Sequence, residues 1–197
     1  AVIVISHDRM FLGNVSETMF WLDRGTLRRS NRGFKYFDEW QEQVIDQEII
    51  EQKYLNKNFY GEYSFSGTPF MDSRCSADST NLVIYGHHMN NGTMFADICN
   101  YTDYSYFTEH PIVVLETKDG AFAYSVFSVM KVKSDDDWYR FTTVGTDKSY
   151  NSRIEYAKEK SIYDTGITPV YGQQILTLST CYGYNQDDRI LVLAVRN

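Results

Sequence analysis

Two apolar runs, Ile112-Val113-Val114-Leu115 and Phe122-Ala123-Tyr124-Ser125-Val126, flank the tripeptide Lys118-Asp119-Gly120. Asp-Gly supplies the positive φ angles of a tight turn, so the spacing predicts a β-hairpin. Further along, Phe122, Tyr124, Val126, Met130 and Val132 are expected to alternate onto one face. Asn81-Leu82-Val83-Ile84-Tyr85 reads as a short apolar strand ending at Gly86, and residues 174–178 and 190–195 read as the last two strands. A polar, glycine-containing stretch, 182–188, joins that pair. The 16 tyrosines point the same way, because Tyr favours pleated, half-buried surfaces.

Helices are few in this region. Residues 94–109 contain one or two short ones before Pro111. Residues 151–163 read as a helix with Ile154, Ala157 and Ile162 on its inner face, followed by Pro169. Before about Gln52 the character differs. Ala1-Val2-Ile3-Val4-Ile5 is a continuous β-branched run, as in a buried parallel strand. Ser6 or Asp8 can cap a helix through about Glu17. Residues 18–23 are strand-like and end at Arg24-Gly25. Phe37, Trp40, Val44, Ile45 and Ile49 recur at helical spacing, with Asp38 and Glu39 in the first turn where the dipole favours them. The prediction is a mainly β domain over 53–197, preceded by a small α/β segment over 1–52.

The net charge is −7 with no lysine or arginine stripe, which argues against a nucleic-acid grip. No apolar stretch approaches the ~20 residues of a membrane span, and no signal peptide is visible. The chain begins inside a strand-like run and so reads as part of something longer. Three cysteines, Cys75, Cys99 and Cys181, include no C-x-x-C pair, which argues against a disulfide framework and a zinc site. A single Cys75–Cys99 disulfide stays open, beside the plainer reading of Cys99 as a small buried hydrophobe.

Cys181 closes the run Leu176-Thr177-Leu178-Ser179-Thr180-Cys181, where a strand end can present a partly exposed thiol. At an unperturbed pKa of ~8.5 little of it is thiolate at neutral pH. An imidazole, such as His87 of Tyr85-Gly86-His87-His88-Met89, can stabilise the thiolate as an ion pair. Arg189, eight residues after Cys181, starts the next strand. If that strand runs antiparallel, its fork can reach the space above the thiol and donate to a developing oxyanion. Together the three are the minimum kit for acyl transfer through a thioester. Against this stands the plain reading of a buried cysteine, a turn histidine and a solvated arginine.

Thr177-Leu178-Ser179-Thr180-Cys181 resembles the T-L-x-T-C signature of the sortases, cysteine transpeptidases of Gram-positive cell surfaces. Tyr85-Gly86-His87 matches the family's histidine motif and Arg189 the position of its arginine. Asn58-Phe59-Tyr60-Gly61-Glu62-Tyr63, Gly67-Thr68-Pro69-Phe70-Met71-Asp72, Gly92-Thr93-Met94-Phe95 and Ser161-Ile162-Tyr163-Asp164-Thr165-Gly166 are similar to class B members in particular. The resemblance covers 53–197 and implies a sortase-type β-barrel with short helices. It implies that Cys181 attacks a sorting motif of the LPxTG or NPxTN type in a surface-protein sorting-signal peptide. His87 protonates the leaving amine, then deprotonates an incoming amine of peptidoglycan or a pilin, and Arg189 holds substrate and oxyanion. Thr180 helps to position the substrate backbone and Ser179 lines the site. Neither a metal nor a cofactor is implied. The implied setting is the outer face of the membrane or the cell wall, with a membrane anchor in a full-length protein. Class B members commonly have Asn after the catalytic His; here it is His88, expected to point away.

Tyr54-Leu55-Asn56-Lys57-Asn58-Phe59 is present, but the strands such enzymes carry before it are not. In their place, Val4-Ile5-Ser6-His7-Asp8-Arg9-Met10-Phe11-Leu12, Trp21-Leu22-Asp23-Arg24-Gly25 and the stretch from Arg32-Gly33-Phe34 to Trp40 resemble the switch-histidine region of F-subfamily ABC-type ATPases. No phosphate loop, signature motif or upstream Walker B acid accompanies them, so ATPase activity is rejected. A barrel lacking its first strands exposes an edge, and residues 1–5 and 19–22 could fill it by pairing. The alternative from another class is an inert chimeric or interaction chain that retains the sortase residues.

Overall fold

A computed structural model describes residues 14, 18–23, 26–30, 33–37, 53–183 and 187–197. The chain divides into two compact units, Ala1–Ile49 and Ile50–Asn197.

In the first unit β1 (Met19–Asp23) pairs antiparallel with β2 (Thr26–Ser30), Asp23 standing opposite Thr26. β1 lies where its sequence places it. β2 escapes sequence reasoning, since Leu27 is its sole apolar residue. These two strands form a sheet of their own. Each strand finds its partner across a two-residue connection, and closing so short a loop costs little entropy. The Arg29 guanidinium lies 5.9 Å above the Phe20 ring, a cation–π contact. The strand expected over 1–5, all of the first helix but residue 14, which is helical, and all but the start of the helix at 37–49 lie outside the described residues.

The second unit is a curled sheet, half a barrel, with a few short helices. Its strands are β3 (Phe70–Met71), β4 (Asn81–Tyr85), β5 (Ile112–Thr117), β6 (Gly120–Lys133), β7 (Ile175–Cys181) and β8 (Asp188–Arg196). They lie in the order β3-β4-β7-β8-β6-β5. The β4–β7 pair is parallel and every other pair antiparallel.

The predicted hairpin is β5–β6, with Thr117 opposite Gly120. Only Gly120 takes a positive φ there (132°); Asp119 stays at negative φ, and its N–H donates to Thr117 Oγ1. The expected single face of β6 is corrected. A bulge between Val126 and Ser128 shifts the register against β8. An extra residue reverses the alternation beyond it. Tyr124, Val126 and Val129 therefore enter one core with Leu176, Leu178 and Val192, whereas Phe127, Met130 and Val132 enter the other with Trp138, Ile175 and Leu191.

A 3-10 segment (Ala96–Thr102) and helix α1 (Tyr104–Glu109) cover the first core. Helix α2 (Asp147–Lys160) covers the second through Tyr150, Ile154 and Ala157. The α2 N-cap is Thr146, whose side chain accepts from Ser149 N–H, so the helix starts four residues earlier than expected. It stops before Ser161, which leaves Ile162 outside it and exposed.

Candidate functional site

β7 runs between β4 and β8, and its side chains alternate. Thr177 and Ser179 point to the Trp138–Tyr139 side, where Trp138 Nε1 donates to Thr177 Oγ1 and Tyr139 bonds Ser179. Leu176 and Leu178 point to the opposite core. By that alternation Cys181, the last residue of β7, presents its side chain on the Ser179 side, and it is exposed there. Its partner across the antiparallel pair is Arg189, which shares a face with Leu191 of the same core. On the other flank Tyr85 pairs with Ser179, and Gly86 N–H extends the ladder to Ser179 O (3.1 Å). His87, two residues past Tyr85, thus follows β4 as Cys181 follows Ser179. Register and alternation bring Cys181, His87 and Arg189 to one end and one face of three adjacent strands.

His87 is half-buried, and its Nε2 lies 2.8 Å from the Leu55 carbonyl oxygen. A carbonyl only accepts, so Nε2 is the donor, and in a neutral ring the lone pair is then on Nδ1. Among the described residues no hydrogen bond joins His87 to the Cys181 thiol. Arg189 Nη1 donates to Asp188 O (3.0 Å).

Ser179 and Thr180 are both 2% exposed. Thr180 Oγ1 donates to Gly86 O (2.8 Å), and the Ser179 hydroxyl is 2.8 Å from that of Tyr139. Their hydroxyls therefore tie β7 to its neighbours within the protein. His88 is exposed and points away from the His87 side, as expected, but it also reaches the Cys181 backbone from the other side. Its Nδ1 is 3.2 Å from Cys181 O, and Cys99 Sγ lies 3.5 Å from that nitrogen and 3.7 Å from the same carbonyl. The cause is the loop after His87, which folds back so that His88 bridges Met94, with Met94 at φ 59°. All three thiols are free, which closes the question of a Cys75–Cys99 disulfide. Burial pushes the Cys75 and Cys99 thiols up, and for Cys99 the neighbouring Cys181 adds to it.

Beneath the strand ends lies a polar network that the sequence does not signal. Arg74 donates to Asp72 from Nε (2.8 Å) and Nη2 (2.7 Å), and to Tyr139 O (2.9 Å). Tyr85 OH donates to Asp72 Oδ2 (2.8 Å). Burial alone would raise the Asp72 carboxyl, but the hydrogen bond and charge of Arg74 outweigh it and hold the group below its ordinary value. Burial pushes the Tyr139 phenol up to about 12, although Ser179 and the Arg189 charge pull the other way.

A family model, the Sortase domain, matches residues 43–197. Sortase B of Staphylococcus aureus (strain NCTC 8325 / PS 47) is 30% identical over 146 residues, 73% of this chain and 59% of that protein. The chain thus spans less than two thirds of that relative's length. The solved Staphylococcus aureus sortase B–substrate complex is 30% identical, with a TM-score of 0.69 over 74% of this chain and 69% of that one. A sortase B complexed with triglycine is 31% identical, with a TM-score of 0.67 over 74% and 70%. A separate relative, the ATP-binding protein Uup of Caulobacter vibrioides, is 39% identical over 57 residues, 29% of this chain and 9% of that protein. The family model spans well over half of the residues, the solved relatives share the fold, and the chain belongs to the sortase family.

Proposed function

We propose that residues 53–197 are the catalytic part of a class B cysteine transpeptidase, and that residues 1–52 are a piece of ABC-F type without ATPase function. The carrying observation is the shared face: Cys181 opposite Arg189 in register, with His87 following β4 on the other flank. In this reading His87 Nδ1 takes the Cys181 proton, while Leu55 O holds the ring by Nε2 and stabilises the imidazolium that results. The thiolate attacks the carbonyl carbon of a sorting motif, of LPxTG or NPxTN type, in a surface-protein peptide. Negative charge gathers on that oxygen within reach of the Arg189 fork. Collapse breaks the C–N bond, His87 protonates the leaving amine, and a thioester remains on Cys181. His87 then deprotonates an amine of peptidoglycan or a pilin, which attacks the thioester and frees the thiol. Ser179 and Thr180 serve substrate binding by fixing the walls around the nucleophile. The substrate and triglycine complexes of relatives support the two substrate classes. The setting that fits is the outer membrane face or the cell wall.

The test is cleavage of a fluorogenic sorting peptide by the full chain, with and without triglycine. Cleavage that triglycine diverts to a ligated product, lost in Cys181→Ala and His87→Ala, is expected. Full turnover in either variant sinks the reading.

A further inference from the structure

Tyr139 lies in the 3-10 segment Asp137–Arg140, remote in sequence from both strands that end at the site. It is buried and touches each of them one step below the proposed catalytic pair. Its hydroxyl is 2.8 Å from Ser179 Oγ on β7, two residues before Cys181. Its ring stacks on Tyr85 of β4, two residues before His87, with centroids 5.9 Å apart and planes 24° apart. Its carbonyl accepts from Arg74, Arg74 grips Asp72, and Asp72 accepts from the Tyr85 hydroxyl. The contacts close a ring: Tyr139, Ser179, across the β4–β7 pairing to Tyr85, Asp72, Arg74 and back to Tyr139.

We infer that Tyr139 is a positioning residue, which sets the separation and facing of His87 and Cys181 by bracing Tyr85 and Ser179 against each other. The inference rests on the transpeptidase reading of those two residues. β4 and β7 are joined by ladder hydrogen bonds, but the ladder ends with Gly86 and leaves His87 beyond it. A parallel pair resists splaying less than an antiparallel one. Thr180 Oγ1 on Gly86 O and His88 Nδ1 on Cys181 O tie the strand ends at the backbone; a buried phenol bonded to one strand and stacked on the other adds a side-chain constraint on the face that carries His87 and Cys181. Thiolate–imidazolium pairing depends steeply on separation, because the attraction falls with distance and with the entry of water.

Tyr139→Phe keeps the ring on Tyr85 and removes only the bond to Ser179; Ser179→Ala removes the same bond from the other side. Two readouts apply to the full chain. The first is the pH profile of Cys181 alkylation by iodoacetamide, read by peptide mass and needing no sorting peptide. The second is kcat and KM for the peptide. Tyr139→Phe is expected to move the alkylation midpoint to higher pH and lower kcat about tenfold with KM little changed. Ser179→Ala should do likewise, and the double variant should be no worse than either alone. An unchanged alkylation profile and kcat in Tyr139→Phe overturn the inference, whether or not its melting temperature falls. So does a double variant whose losses simply multiply. If His87→Ala leaves the parent's alkylation profile unmoved, the transpeptidase reading itself fails, and the inference with it.

Discussion

Cys181 and Arg189 stand directly opposite each other across the antiparallel β7–β8 pair. Such partners carry Cβ atoms about 5 Å apart on one face, which suits the proposed role of the Arg189 fork at an oxygen one bond removed from the carbon on Cys181 Sγ. Replacing Arg189 by Ala should lower kcat for peptide cleavage by about 100-fold or more, as loss of a preorganised oxyanion donor does elsewhere. Arg189→Lys keeps the charge without the planar fork and should recover only part of the rate. Steady-state cleavage of a fluorogenic sorting peptide measures both; a lysine variant as fast as the parent would show that the fork geometry is irrelevant.

The three thiols should separate by reactivity. Cys181 is exposed, whereas Cys75 and Cys99 are half-buried and their thiols are raised by burial. Iodoacetamide attacks the thiolate, so at pH 7 Cys181 should label first, by about an order of magnitude. Time-resolved peptide mass mapping reads this directly. Mild oxidation should leave Cys99 and Cys181 unbridged despite their nearness. Cys99 approaches the Cys181 carbonyl from the Leu178 side, and the Cys181 side chain lies on the other face, so their Cβ vectors diverge. A Cys99–Cys181 disulfide in non-reducing digests would refute that placement.

What the sequence makes legible is local. Strands β4, β7 and β8 announce themselves by apolar runs, and Cys181, His87 and Arg189 by motifs a few residues long. The register of Cys181 and Arg189 follows once β8 runs antiparallel to β7, whereas that of His87 needs the parallel β4–β7 pair, which no local signal announces. Other features leave no such trace. β2 is held by its pairing with β1, and its own residues carry almost no apolar signal. The bulge after Val126 leaves no mark in composition, yet it moves Met130 and Val132 into the opposite core. Tyr139 meets Ser179 across 40 residues of chain, a contact that periodicity does not encode. That His88 also meets the Cys181 carbonyl and Cys99 is likewise a contact across 93 and 11 residues of chain that alternation does not encode.

Asp72 should dominate the acid limb of stability. Its side chain is fully buried and held by Arg74 and Tyr85, and its folded pKa is depressed. Asp136, held by Lys160, is depressed too. The unfolded chain therefore binds more protons than the native one once the pH approaches the unfolded carboxylate value near about 4. The stabilisation is full above that value and is lost as pH falls through the lower folded pKa values. Asp72→Asn should cost about 3 kcal/mol at pH 7, since Arg74 is left without its anion, and should flatten the acid limb. Urea titrations at pH 7, 5, 4 and 3 measure both; an acid limb identical in parent and variant would mean that Asp72 does not contribute to it.

Gly86 tests how closely the histidine segment is packed. A Cβ built there would lie 2.5 Å from Cγ of the Phe95 ring, far inside van der Waals contact. The Phe95 backbone is itself anchored, its N–H donating to His87 O at 2.9 Å, so a shift of Phe95 pulls on the residue proposed as base. Gly86 needs no unusual backbone angle, since its φ is not among the positive values; the constraint is room alone. Gly86→Ala should therefore cost about 1–3 kcal/mol of stability as overpacking does, and should reduce kcat more than KM by displacing His87. Adding Phe95→Leu makes space beside the new methyl and should restore part of both losses. Melting curves and peptide kinetics on the two variants decide it. If Gly86→Ala matches the parent in both, the strand end is looser than its contacts imply, and His87 is held by Leu55 rather than by the packing beneath it.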